Sequence, residues 1–259
     1  MAWSVTYTDD VTLQAVRELA QNGRDAEALT ALHALRPLPN ELAGAAALAL
    51  HLGQPARALG WWQEAEKQSI GRDRDACLLG QASAALRLGR FDDALGTLAE
   101  APKTARTAVL RGRALAMSGN VEAPAAALAA RAAARAEGDA PALVAAVTLL
   151  GELEHAARPE HKGAFAALRT LAEGLKVAEL TGEHADPHLL AVLAHVQRDV
   201  GSAAKGQATA GKALERASRR SPARVLALLA LNRASDAAEE TAGGQLRALA
   251  VPGFLRTDT

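Results

Sequence analysis

The chain has 259 residues, with 29 Lys and Arg against 29 Asp and Glu, and its apolar share of 49% includes few aromatics, 3% of the chain. Balanced charge gives no whole-chain field to draw in a polyanion, and Cys77, the single cysteine, excludes an intramolecular disulfide framework and suits a reducing interior. Ala and Leu supply the apolar bulk while β-branched residues are scarce, a bias that favours an all-helical chain over a sheet.

Trp3, Val5 and Tyr7 alternate with polar residues, so residues 1–9 are expected to form an extended arm over the first hairpin. The start lacks a basic segment followed by an apolar one. The longest clean apolar run, residues 225–231, is far short of the roughly 18 residues of a membrane span. The expectation is a cytoplasmic protein without a membrane partner. Asp9 and Asp10 stand where a helix N-terminus favours negative charge. Residues 11–20 read as the first helix, Asn22-Gly23 as a turn, and Asp25 opens a second helix that Pro37 and Pro39 end. The next pair runs from Glu41 through Ala46 and the turn Leu52-Gly53-Gln54-Pro55 into Ala58-Leu59 and Trp62, with Pro55 suited to a first helical turn.

In the third pair Leu78, Ala82 and Ala85 recur at helical spacing, Leu88-Gly89-Arg90 interrupts, and Phe91-Asp92-Asp93-Ala94-Leu95 starts another helix. Small Ala82 and Ala94 let the two backbones approach, while Phe91, Leu95 and Leu98 supply bulk that one hairpin cannot bury alone. The fourth pair puts Gly112 midway in its first helix and turns at Gly119-Asn120. It carries Pro124 near where the pattern wants Ala, so its second helix is expected to start late or kink. Gly138-Asp139 closes the Ala-rich residues 122–137. Residues 140–157 and 160–181 read as a longer hairpin hinged at Arg158-Pro159. Asp186-Pro187 and Ser221-Pro222 each join an N-cap to a first-turn Pro. They open a hairpin that turns at Val200-Gly201, and a last one from about 222 to 248 that Ala242-Gly243-Gly244 loosens. Phe254 and Leu255 are expected to fold back as a cap.

Turn glycines 23, 53, 89 and 119 are separated by 30, 36 and 30 residues, scattered around a repeat of about 34. Residues 74–101, with small Ala82, the Gly-basic-aromatic turn Gly89-Arg90-Phe91 and then Ala94-Leu95, resemble a tetratricopeptide repeat. The resemblance covers about four-fifths of the chain, strongest at 74–101, good at 41–66 and 186–217, and weak at 122–182. It implies an all-α, right-handed superhelical solenoid of antiparallel helix hairpins. The arm would be 1–9, with four hairpins in 10–138, a divergent hairpin in 139–182, two more in 183–250, and a tail at 251–259.

The resemblance also implies a non-catalytic scaffold or sensor that holds a protein or peptide in a concave groove lined by the first helix of each hairpin. The alternative is a regulatory domain acting with nucleic acid. Carried over position by position, the groove is Leu13 and Arg17, then Ala47, Leu50 and His51, then Leu79, Ser83, Leu86 and Arg87. Arg106, Val109, Arg113 and Met117 follow, and later His188, His195 and Arg198. This mixture suits a segment with apolar anchors and carboxylates, since Arg offers a carboxylate paired hydrogen bonds. One subtype of the family clamps carboxylates with Lys and Asn. Here Leu13, Ala43, Leu79 and Val109 replace the Lys and Arg17, Ala47, Ser83 and Arg113 the Asn. A solenoid end without a polar cap leaves self-association open.

Other motifs carry less. The stretch from Gly206 to Gly211-Lys212-Ala213 nearly matches a phosphate-cradling loop, but Ala213 lacks the metal-holding hydroxyl and no strand precedes it. Ser202 and Lys205 match a Ser-x-x-Lys spacing without the companion motifs. No catalytic residue, cofactor or metal site is expected. His155, His161, His184, His188 and His195 cluster in one third of the chain, with His188 and His195 two turns apart, too far for one metal without another helix. Trp62 reads as a core contact and Trp61 as pointing elsewhere. Two basic clusters stand out. Lys103, Arg106, Arg111, Arg113, Arg131 and Arg135 face only Glu122 between 101 and 135, and Arg198, Lys205, Lys212, Arg216, Arg219, Arg220 and Arg224 face Asp199 and Glu215. On one side of the fold they would form a stripe able to meet phosphate, although such runs are more often solvated helix faces.

Overall fold

A computed structural model describes residues 11–157, 161–182, 184–241 and 249–255; the expected arm, the Arg158-Pro159 hinge and Ala242-Gly243-Gly244 lie outside them. Fourteen α-helices and one short 3₁₀ turn account for the described secondary structure. They are α1 (Leu13–Gln21), α2 (Asp25–Ala34), α3 (Leu42–His51), α4 (Pro55–Glu66), α5 (Gly71–Arg87), α6 (Phe91–Glu100) and α7 (Ala105–Met117). The second half holds α8 (Ala123–Glu137), α9 (Ala140–Ala157), α10 (His161–Thr181), α11 (Pro187–Asp199), α12 (Ala203–Arg216), α13 (Pro222–Ala230) and α14 (Ala234–Glu240).

Side-chain caps set several of the starts. Thr12 Oγ1 accepts from the Ala15 amide, so α1 begins two residues later than the acidic pair suggested. Asp186 Oδ1 accepts from the His188 and Leu189 amides at 2.8 and 2.9 Å, and Ser221 Oγ from the Arg224 amide. Each cap satisfies an amide that the first turn leaves open. Pro55, Pro124, Pro187 and Pro222 occupy first turns, where no N–H is needed. After Gly23, Gly53, Gly89 and Gly201 the next helix starts two residues on, but after Gly119 it starts at Ala123. Pro124 and the Asn120 Oδ1 bond to the Glu122 amide account for that late start. The turn between α13 and α14 was not legible, because Asn232 at φ 59° stands where five other hairpins place glycine.

Each odd-numbered helix packs against the helix that follows it, and each even-numbered helix from α4 to α12 also packs on the next. The odd-numbered helices from α1 to α13 touch one another in chain order. Two large cores result. One joins α1 to α5 around Val16, Leu32 and Trp62, and the other joins α7 to α13 around Leu149, Leu171, Leu189 and Leu226. Between them Ala82 and Ala94, both fully buried, bring α5 and α6 together. Gly80 lets the Trp62 ring lie where a Cβ would be 2.3 Å from it, and Trp61 is half-buried with the Arg57 guanidinium 5.4 Å from its ring centre.

The helices curve far enough for distant parts of the chain to meet. Ser218 lies 3.2 Å from His51 Nδ1, and a Cβ on Gly53 would stand 2.3 Å from that of Arg220. Gly53 is thus needed twice, for its φ of +71° and for that close approach. In the described segment 249–255, Leu249 packs against Val225, Leu228 and Ala237 of α13 and α14. Val251 and Phe254 are buried in the second core, with Phe254 against α9 and α11. No described helix is long and apolar enough to cross a membrane.

Candidate functional site

Five odd-numbered helices, the loop before α13 and the C-terminal segment surround an open cavity of about 460 Å³. Helix α5 contributes Ser83, Leu86 and Arg87, which share one face by the three- and four-residue spacing of a helix. Helix α7 contributes Leu110, Arg113 and Met117 by the same rule, and α9 contributes Ala145. From the far side come Pro187 and His188 at the start of α11, Ser218, and Ser221, Pro222 and Ala223 at the start of α13, with Leu249 from the C-terminal segment. Six residues named from the sequence, Ser83, Leu86, Arg87, Arg113, Met117 and His188, are therefore brought together. A second cavity of about 380 Å³ continues from Arg113 and His188 along α9 and α10 to Thr181 and His184.

Behind Arg113 and His188 lies Glu152, fully buried on α9. Arg113 Nη1 donates to both of its carboxylate oxygens at 2.7 and 2.6 Å, His188 Nε2 donates to Oε1 at 3.0 Å, and the Val251 amide donates to Oε2 at 3.1 Å. Burial alone would raise the pKa of this carboxyl; Arg113 and the His188 bond outweigh it and hold it at about 2. The carboxylate joins α7, α9, α11 and the C-terminal segment at one point. Sequence reasoning missed it, although its signal was present: a charge directly following the largely apolar run from 142 to 151 on the same helix must find partners if it is buried.

The C-terminal segment continues along α9 and α11. Phe254 is 1% exposed, with the His155 ring 5.0 Å and the His195 ring 5.6 Å from its own. His155 Nε2 meets Asp199 Oδ2 at 2.7 Å, while its buried Nδ1 has no hydrogen-bond partner among the described residues. His195 Nε2 donates to the Leu226 carbonyl, and burial pushes its pKa down. The histidine cluster of the sequence is thus shared among separate partners, and no group of three or more His, Cys, Asp or Glu among the described residues is arranged to hold a metal ion. His161's side chain lies outside the described residues.

The remaining sequence-named residues lie elsewhere. Leu13 and Val109 are buried in helix packing, Leu50 packs partly into the first core, and Arg17 and Ala47 are exposed. His51 sits at the meeting with Ser218. Leu79 and Arg106 line a separate shallow hollow, where Arg106 pairs with Asp139 at 2.8 Å. Arg198 donates to the Leu229 and Ala230 carbonyls and to Asn232, and so closes the end of α13. Glycine 206, in the phosphate-loop lookalike, is inside α12 and packs against Ala194 and Arg198.

The basic clusters are distributed in the same way. Arg131 and Arg135 both reach Glu173, Arg113 reaches Glu152, and Arg219 and Arg224 reach Glu240. Acids from other helices thus offset part of what looked unbalanced along the chain.

Compared with protein-family models and with curated proteins, the chain matches none.

Proposed function

We propose that the chain is a right-handed solenoid of degenerate tetratricopeptide-like hairpins and acts as a non-catalytic scaffold or sensor that holds a protein or peptide segment on its inner face. The observation that carries this reading is the convergence of six groove residues, named by repeat register, on one open cavity whose other walls are apolar except for Ser218 and Ser221. A second observation agrees with it. The same side of the fold already holds a segment of the chain itself, the turn at residues 249–255, through buried Val251 and Phe254 and the Val251 amide bond to Glu152. The nucleic-acid alternative has less support, since Arg106, Arg113, Arg131, Arg135, Arg219 and Arg224 of the two basic clusters face carboxylates.

A nuclease-treated lysate pull-down tests the proposal, with a Ser83→Arg/Met117→Arg double variant as control bait. Both positions line the cavity without bonding to another helix through a charged group, so the control keeps its fold by circular dichroism. Proteins retained by the parent and lost by the variant support the reading. The same proteins captured by both baits overturn it.

A further inference from the structure

Among the described residues, the central cavity holds one cation that no carboxylate balances. Its serines are occupied: Ser83 Oγ donates to the Leu79 carbonyl at 2.8 Å, Ser221 Oγ to the Ser218 carbonyl at 2.7 Å, and Ser218 Oγ meets His51. Arg113 and His188 are turned to Glu152. The walls between are Leu86, Leu110, Met117, Ala145, Pro187 and Ala223 among others. Arg87 differs from all of these. Its Nη1 donates to the Leu50 carbonyl at 2.6 Å, which ties α5 to the end of α3. Among the described residues its Nε and Nη2 have no hydrogen-bond partner and no carboxylate reaches it. Burial pushes its pKa down with nothing opposing, as expected of a guanidinium whose field is poorly screened.

We infer that this cavity is a binding site for an apolar monocarboxylate, with the ligand's carboxylate on the free edge of Arg87 and its hydrocarbon part between α5, α7 and α13. A guanidinium edge offers two parallel N–H groups that match a carboxylate. One uncompensated charge calls for a monoanion; a phosphate dianion would need a second cation, and both neighbouring candidates are spent on Glu152. Apart from Arg87, Arg113 and His188 the described walls carry only three serine hydroxyls, each already in a hydrogen bond, among Leu, Met, Ala and Pro side chains, which disfavours a sugar or a nucleotide. At about 460 Å³ the cavity falls in the lower half of the usual range for small-molecule sites, about 300–1,000 Å³, and suits a chain of roughly eight carbons. The site stands or falls independently of any protein partner.

Calorimetric titration of the purified chain with octanoate, and separately with 1-octanol, tests this. One octanoate should bind per chain, with octanol, the same length without the charge, weaker by about ten- to hundredfold. Arg87→Gln should bring octanoate down to the octanol level and leave octanol unchanged, a split that a merely loosened cavity would not produce. Ser83→Phe, one turn before Arg87 on the same face, should abolish both while keeping the guanidinium. Should Arg87→Gln melt early through its lost bond to Leu50, the parent's preference for octanoate and its loss in Ser83→Phe decide the matter. Equal affinity for octanol and octanoate in the parent, no saturable octanoate binding at millimolar concentration, or unchanged binding in Ser83→Phe each overturn the assignment.

Discussion

Replacing Glu152 by Gln keeps the volume of the side chain and removes its charge, so the change isolates electrostatics from packing. An ionised carboxylate offers about four lone-pair sites, and here all are taken: two by Arg113, one by His188 and one by the Val251 amide. Glutamine retains one accepting oxygen and turns an NH₂ group toward donors. It also strands the Arg113 guanidinium, which is only 18% exposed. Breaking a buried pair on one side costs about 3–5 kcal/mol. Linkage gives an independent figure. The carboxyl is held at about 2 against an ordinary 4.5, which corresponds to about 3 kcal/mol at neutral pH. Because the folded value is depressed, that contribution is whole above pH 4.5 and is lost as pH falls toward 2. Urea unfolding at neutral pH should therefore show a loss of about 3–5 kcal/mol with unchanged m-value. Between pH 4.5 and 2 the parent's stability should fall more steeply than the variant's, by up to about 1.4 kcal/mol per pH unit. A neutral-pH loss under about 1 kcal/mol, the scale of an exposed pair, or parallel acid limbs, would refute the account of Glu152 as the tie between three helices and the C-terminal segment.

Phe254→Ala should cost about 3–5 kcal/mol in the same unfolding assay, as a fully buried core residue and not as part of a frayed tail. Gly80→Ala should destabilise by about 1–3 kcal/mol, because its Cβ would fall 2.3 Å from the Trp62 ring. Gly96→Ala, on α6 with open space around it, should instead stabilise by about 0.5–1 kcal/mol; thermal melts of the two distinguish the cases by sign. His195 is favoured neutral by burial, so its contribution is whole above its ordinary 6.5 and is lost as pH falls below that value. Stability measured from pH 7.5 down to 5.5 should decline in the parent, and His195→Gln should remove part of that decline.

Much of the helical framework was legible because its signals are local. A small residue, a turn glycine and an Ala-Leu restart sit within one hairpin, as at Ala82, Gly89 and Ala94-Leu95, and Pro124 announced its own late helix. Asn232 escaped because the left-handed turn was sought as glycine. The convergence of Ser83, Arg87, Arg113 and His188 followed from repeat register, but Pro187, Ser218, Pro222 and Leu249 did not, since they enter from loops and from a segment that folds back across many helices. Phe254 was expected to fold back, yet nothing local in residues 251–255 says that it does so onto His155 and His195.

Charge was the least legible feature, and its spacing explains why. Arg106 meets Asp139 at a separation of 33 residues, Arg113 meets Glu152 at 39, Arg135 meets Glu173 at 38 and Arg131 meets Glu173 at 42. His188 and Glu152 are 36 apart. These separations scatter around one repeat of about 34 residues, because a side chain on one hairpin faces its equivalent on the next. Part of the charge balance in this chain is thus kept between successive hairpins, so a window such as residues 101–135 reads as basic although Arg106, Arg113, Arg131 and Arg135 meet carboxylates outside it. The same rule isolates Arg87. Its contact in the unit before, 37 residues away, is the Leu50 carbonyl and not a carboxylate, and the cavity it faces is where the missing negative charge has room to bind.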